Sequence, residues 1–239
     1  MLQLERLAAG YGDLLAVRAV SLAVEEGECV ALIGANGAGK TTTLRALAGL
    51  IPIRGGHAVF RGRALAGLTP RQIVTLGLAH VPEGRQLFPS LTVRENLEMG
   101  GYLLRRAQVA ERVERVLAIF PRLGGMLGRS AGKLSGGERK MLAMGRVLML
   151  DPGLFLLDEP TANLAPIVAT ALLTEHVRQL ATSGAAVLIV EQRARAVLAI
   201  SDRSYVLGGG EVRMAGTPAE LSARPDFIES FLGAGRTIR

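Results

Sequence analysis

Apolar and polar positions follow three patterns along the chain, and each predicts a different part of the fold. In the first 33 residues the short apolar runs "LQLERL", "LLAVRAVSLAV" and "ECVALIG" are separated by turn signals and read as strands of a partly antiparallel sheet. "HAVFRG", with Val59 between Ala58 and Phe60, reads as another strand. After Pro70 the spacing turns helical, most clearly in "VAERVERVLAIFPRL", where Val109, Val113, Val116, Leu117 and Phe120 share one face. A helical insert, bounded by "VPEG" and by a strand at Leu154, is therefore expected to interrupt the chain. Strand signals return at "GLFLLDEP" and "AAVLIVEQ", with the helix-like "IVATALLTEHVRQLA" between them. That alternation predicts a parallel sheet with crossover helices. The branched run "VLIV" at 187–190 shows no polar face, as in a strand buried on both sides, and ligands gather beyond the carboxyl ends of such strands. Gln192 is placed there. The chain has neither an internal repeat nor a low-complexity linker.

Composition narrows the class. With 239 residues, 49% hydrophobic and 21% charged, the chain can bury a sizeable globular core. No apolar segment reaches the roughly 18 residues of a membrane span, because "MLAMGRVLMLDPGLFLLD" is broken by Arg146, Asp151 and Pro152. The N-terminus lacks a signal-peptide pattern, and the single cysteine, Cys29, excludes an internal disulfide framework and reads as a small core residue. A soluble, cytoplasmic chain is expected. The net charge of +7 is carried almost entirely by Arg, with Lys only at positions 40, 133 and 140. Such an excess can serve a nucleic acid or a membrane surface. Here the arginines are scattered in ones and twos apart from Arg105 and Arg106, so they read as a solvated surface and no nucleic-acid partner is expected.

The candidate chemistry lies at three places. "GANGAGKTT", residues 34–42, fits the G-x-x-x-x-G-K-[ST] phosphate loop, between the strand "CVALI" and the helical "TLRALAGL". Gly34, Asn36, Gly37, Ala38 and Gly39 shape a backbone whose N–H groups fold around phosphate oxygens. Lys40 supplies a point charge to the outer phosphates, Thr41 offers a hydroxyl to Mg²⁺, and Thr42 continues a helix whose N-terminal end favours anions. At the second place, "GLFLLDEP", an apolar strand ends in two carboxylates. Asp158 suits a Mg²⁺ shell, and Glu159 suits polarisation of an attacking water, which makes the chain a hydrolase rather than a passive nucleotide sensor. A helix N-cap before Pro160 is the plainer alternative for this pair. The third place is "KLSGGERK", residues 133–140, where Ser135, Gly136 and Gly137 at a helix start form an anion site or an ordinary cap.

With this third element the chain resembles the ABC ATPases along its whole length: Leu134, Ser135, Gly136, Gly137 and Glu138 match that family's signature. The resemblance implies an α/β fold with a RecA-like phosphate-loop core, an antiparallel β subdomain and an α-helical subdomain. In one domain spanning 1–239, the core with its β subdomain would be 1–83 and 151–239, and the helical subdomain 84–150. It further implies that two subunits sandwich two Mg-ATP molecules, each held by one subunit's phosphate loop and the other's signature residues. Tyr11 stands where the family stacks an aromatic ring on adenine.

Three positions depart from the family pattern. Glu83 stands where most relatives have Gln, with Gln86 three positions later; a carboxylate remains a hard ligand for Mg²⁺ but brings a full charge toward the γ-phosphate. Gln192 occupies the place of a His that faces the γ-phosphate; it donates hydrogen bonds but never becomes a cation. In "TANLAP", 161–166, the usual Asp is Ala165, which alters the loop between the two ATP sites. The wording of "VPEGRQLFP", "NLAP" and "VEQ" is similar to the second ATP-binding subunit of branched-chain amino acid importers. Such a subunit would be peripheral on the cytoplasmic face of the membrane. Its partners would be transmembrane permease subunits, a second ABC ATPase subunit, and a periplasmic or extracellular solute-binding protein. Importers of urea or other solutes, and soluble ABC ATPases of cofactor assembly, remain the alternative readings. Lys40, Glu159 and Gln192 are the catalytic candidates.

Overall fold

The computed structural model describes residues 1–84 and 87–227. The apolar runs become the strands β1 (Leu2–Tyr11), β2 (Leu14–Val24), β3 (Cys29–Gly34), β4 (Ile53–Phe60), β5 (Arg63–Ala64), β6 (Leu78–Val81), β7 (Leu154–Asp158), β8 (Ala186–Glu191), β9 (Arg203–Gly208) and β10 (Glu211–Gly216). They form one sheet in the order β5-β4-β1-β2-β10-β9-β3-β8-β7-β6. β1 pairs antiparallel with β2 and β4, whereas β9, β3, β8, β7 and β6 run parallel. The principal helices are α1 (Lys40–Leu47), α2 (Pro70–Thr75), α3 (Val93–Gly100), α4 (Arg106–Ile119), α5 (Pro121–Gly124), α6 (Gly136–Leu148), α7 (Pro166–Ala171) and α8 (Arg178–Thr182). A π-helical turn, Leu172–Val177, joins the last two.

The parallel strands have no polar face because both sides of the sheet are covered. Cys29, Ala31, Ile33, Phe155, Leu157, Val187 and Ile189 point into a core shared with α3, α4 and α6. Their alternate neighbours Val30, Leu32, Leu154, Leu156, Leu188 and Val190 point into a second core with α1, β1 and β2. Val187, Leu188, Ile189 and Val190 are wholly buried. Burial also pushes the Cys29 thiol up to about 12, consistent with an inert core residue. Among the described residues no helix is long and apolar enough to cross a membrane.

Two elements differ from the sequence reading. The helical stretch expected from Pro70 onward is interrupted: the short α2 is followed by Gly77, with φ 91°, and at once by the strand β6, before α3, α4, α5 and α6 take it up again. Four residues are too few to display a strand period, and Leu78, Ala79 and Val81 are buried by pairing with β7. The hairpin of β9 and β10, closed by Gly209 and Gly210 at φ 62° and 81°, was not anticipated. Its glycine run between two apolar stretches is an ordinary hairpin signal.

His80 on β6 is mostly buried, and its Nε2 has no hydrogen-bond partner. Burial, helped by the charge of Arg45, brings its pKa down to about 4. The unfolded chain therefore takes up a proton that the native state refuses: this contribution to stability is present above the ordinary histidine pKa of about 6.5 and is lost as pH falls toward 4. Denaturant titrations at pH 7.5 and 5.0 should show a smaller acid loss in His80→Phe than in the parent, by about 2 kcal/mol.

Candidate functional site

Parallel register brings the carboxyl ends of four strands to one edge of the sheet. Ile33 pairs with Glu191, Asp158 with Val190, and Val81 with Leu157, so the loops leaving β3, β8, β7 and β6 start side by side. They deliver the phosphate loop, Gln192, the Asp158–Glu159 pair and Glu83 to the same place.

The loop after β3 is held by its glycines and by neighbours it cannot move. A Cβ on Gly39, whose φ is 105°, would stand 2.7 Å from the Ala16 carbonyl oxygen. One on Gly34 would stand 2.6 Å from the carbonyl oxygen of Leu207. Gly210 of the β9–β10 turn donates its N–H to the Ala38 carbonyl at 3.1 Å, an anchor that the sequence reading missed. Lys40 is 5% exposed, and its Nζ donates to the carbonyls of Gly34 (2.8 Å) and Ala35 (3.1 Å). Burial lowers its pKa, while Glu159, Asp158 and Glu191 oppose the shift. It lies 3.9 Å from Glu159 Oε1.

Asp158 and Glu159 end β7 with different surroundings. Asp158 is 3% exposed and accepts a hydrogen bond from Thr41 Oγ1 at 2.9 Å. Burial raises its pKa, the Thr41 hydroxyl lowers it, and Glu159 and Glu83 raise it further. A hydroxyl and a carboxylate at this separation are the hard oxygen donors that Mg²⁺ uses beside phosphate and water, so the residues fit that ion. Glu159 has φ 45°, an uncommon conformation for a residue with a Cβ and one that clusters at functional sites. Both its carboxylate oxygens accept from Gln192 Nε2 at 2.9 Å. No helix starts at Pro160, which sits in a turn, so the N-cap alternative for this pair does not hold.

A cavity of about 420 Å³ is lined by Ala16, Asn36, Gly37, Gly39, Thr42 and the chemical groups Lys40, Thr41, Glu83, Glu159 and Gln192. Gly34 and Asp158 stand behind it through Lys40 and Thr41. Tyr11 is outside this lining, 42% exposed at the end of β1, with its hydroxyl accepting from Arg45 of α1 at 2.9 Å. Gln86 lies outside the described residues. Glu191, where the apolar run turns polar, is buried and accepts from both the N–H and the hydroxyl of Thr161, at 2.9 and 2.6 Å. Burial raises its pKa and these two bonds lower it. A carboxylate closing a wholly apolar run was the available signal.

Ser135, Gly136 and Gly137 are not on the phosphate cavity. Ser135 caps α6: its hydroxyl accepts from the Glu138 N–H at 3.3 Å, and Glu138 Oε2 accepts from the Ser135 N–H at 2.7 Å. A Cβ on Gly137 would approach Val168 Cγ1 to 2.7 Å, so the start of α6 needs glycine to lie against α7. The start of α6 and the cavity beside the phosphate loop are separate places on the chain.

Ala165 is the N-cap of α7 and offers no side-chain acceptor to its first turn. Ala165→Asp should supply that acceptor and a negative charge at the helix start, stabilising the fold by about 1 kcal/mol. A rise of about 2–4 °C in the melting temperature is the expected result.

Residues 17–162 match the family model described as "ABC transporter". Over 98% of its length the chain is 42% identical to the high-affinity branched-chain amino acid transport ATP-binding protein BraG of Pseudomonas aeruginosa, all of which is covered. It is 35% identical to the probable branched-chain amino acid transport ATP-binding protein LivF of Archaeoglobus fulgidus, over 98% of the chain and 99% of that protein. The crystal structure of the ADP conformation of an ATP-binding cassette of an ABC transporter superposes with a TM-score of 0.88 at 27% identity, covering 98% of this chain and 99% of that one.

Proposed function

Because the chain belongs to the ABC transporter family, we propose that it is the ATP-hydrolysing subunit that energises an importer of branched-chain amino acids. The observation that carries this reading is the 42% identity to BraG across 98% of the chain and the whole of that relative. Family membership makes the chain an ATP-binding, ATP-hydrolysing cassette. We assign the individual residues from the resemblance together with the geometry of the cavity. Lys40 and the loop 34–42 hold the phosphates, with Tyr11 toward the base; Thr41 and Asp158, with Glu83 near them, hold Mg²⁺, which supplies charge neutralisation at the phosphates when bound.

Glu159 takes the place of the group that orients water. Its carboxylate is held by the amide of Gln192 and neighboured by Lys40, so Gln192 sets its orientation from the end of β8. Ser135, Gly136 and Gly137 serve the phosphates of a second subunit's nucleotide, which explains why they stand off this chain's own cavity. Closure of the dimer around ATP is driven by the higher affinity of nucleotide for the closed state. We divide the chain into a core with its β subdomain, 1–83 and 151–239, and a helical part, 84–150, that carries closure to the permease subunits. The dimer partner is a related ATPase chain or a second copy, and a solute-binding protein delivers the cargo. The chain sits on the cytoplasmic face of the membrane through its permease.

Co-expression with the permease subunits tests the assignment. The chain should purify with them from detergent-solubilised membranes, and reconstituted ATP hydrolysis should rise when a branched-chain amino acid and its binding protein are added. Stimulation by another solute class, with none by leucine, isoleucine or valine, would overturn the cargo assignment.

A further inference from the structure

We infer that Glu191 is a positioning residue for hydrolysis: by gripping Thr161 with its buried carboxylate, it fixes the turn on which Glu159 stands. The inference rests on the reading of Glu159 as the group that orients water. Segment 159–164 leaves β7 on an irregular course. Glu159 and Asn163 both take left-handed φ, 45° and 63°. Two turns follow one another here, the Ala162 N–H donating to the Glu159 carbonyl at 3.1 Å and the Leu164 N–H to the Thr161 carbonyl at 3.2 Å. Residues with a Cβ persist in such conformations only where their surroundings hold them there.

The holding surface is the end of β8, where four consecutive residues grip the segment. The Val190 carbonyl accepts from the Glu159 N–H at 3.0 Å. Glu191 Oε1 accepts from the N–H and the hydroxyl of Thr161, at 2.9 and 2.6 Å. The Gln192 amide donates to the Glu159 carboxylate, and Arg193 Nη2 donates to the Leu164 carbonyl at 3.4 Å. Gln192 and Arg193 are exposed, whereas Glu191 is 3% and Thr161 1% exposed. Water therefore does not compete for the Glu191–Thr161 bonds, and losing the acceptor would strand two buried donors two residues from Glu159. Among the described residues, neither Glu191 nor Thr161 lines the nucleotide cavity. Their effect falls on where Glu159 points, and the loop 34–42 that holds the phosphates is left as it is. Misplacing a reacting group by about 1 Å costs on the order of 10²-fold in rate, which sets the upper size of the effect.

Turnover at saturating Mg-ATP and equilibrium ATP affinity test this, measured on the full chain under conditions in which the parent hydrolyses ATP. The variants are Thr161→Val, Thr161→Ser and Glu191→Leu, with Glu159→Gln alongside. Thr161→Val keeps the shape and the N–H but removes the hydroxyl; it should lower turnover about tenfold while ATP affinity stays within about twofold of the parent. Thr161→Ser restores the hydroxyl and should bring turnover back to within about twofold of the parent. Glu191→Leu strips both bonds and should lower turnover about thirtyfold, again with affinity kept. Parent-like turnover in Thr161→Val, no recovery in Thr161→Ser, or a parallel loss of turnover and affinity would overturn the assignment, the last because a purely structural role moves both. If Glu191→Leu melts well below the parent, the two Thr161 variants decide alone. A Glu159→Gln chain that hydrolyses ATP like the parent would remove the reading of Glu159 and this inference together. An inactive Glu159→Gln beside parent-like Thr161→Val and Glu191→Leu would remove this inference only.

Discussion

Lys40→Ala should lower ATP turnover by a factor on the order of 10²–10³, with the fold retained. The magnitude follows from position. Lys40 is the one lysine of the phosphate loop, is 5% exposed, and stands at the start of α1, where its charge adds to the partial positive charge of the helix end. Phosphoryl transfer is catalysed almost wholly by positioning and by charge fixed in advance, so one preorganised cation accounts for much of the barrier reduction. Its bonds to the carbonyls of Gly34 and Ala35 also hold the loop's shape, so nucleotide affinity should fall with turnover. Steady-state hydrolysis and nucleotide titration, with a melting curve to confirm folding, measure both. Parent-like turnover in this variant would remove the phosphate-loop assignment.

Glu159→Gln should separate binding from turnover. The amide keeps the shape of the carboxylate and one acceptor for Gln192, but it cannot take up a proton from water. Loss of a positioned general base costs on the order of 10²–10⁴-fold in rate, while ATP affinity should stay within about twofold of the parent. On the proposed function hydrolysis reopens the dimer, so the variant should accumulate as an ATP-bound dimer on size-exclusion chromatography. Unchanged steady-state hydrolysis would exclude Glu159 as the base.

How much of this was legible depends on whether the signal is local. The phosphate loop was, because Gly39 and Lys40 answer requirements set within a few residues: a left-handed φ of 105° and a helix start. The buried strands were, because both faces of β3 and β8 are covered and the apolar run is therefore unbroken. The contact between Gln192 and Glu159 joins residues 33 apart in sequence, and only the pairing of β7 with β8 creates it. The Gly210 anchor on Ala38 is likewise tertiary. β6 was missed because it is four residues long, and nothing in "LLTEHV" marks the π-helical turn. The capping boxes that start α2 and α3, at Thr69 and Thr92, were as local and readable as the one at Ser135 that marks the start of α6.

The central claim is that one chain holds half of each ATP site. Ser135, Gly136 and Gly137 stand off the cavity lined by Lys40, Thr41, Glu159 and Gln192, and on the proposed function they complete the site of a second chain, which makes catalysis depend on two chains. The most direct measurement is Mg-dependent ATP hydrolysis as a function of protein concentration, for this chain alone and mixed with its presumed partner ATPase. Specific activity that rises with concentration, or appears on mixing, is the predicted result. Specific activity constant down to concentrations at which the chain is a monomer would contradict the shared site.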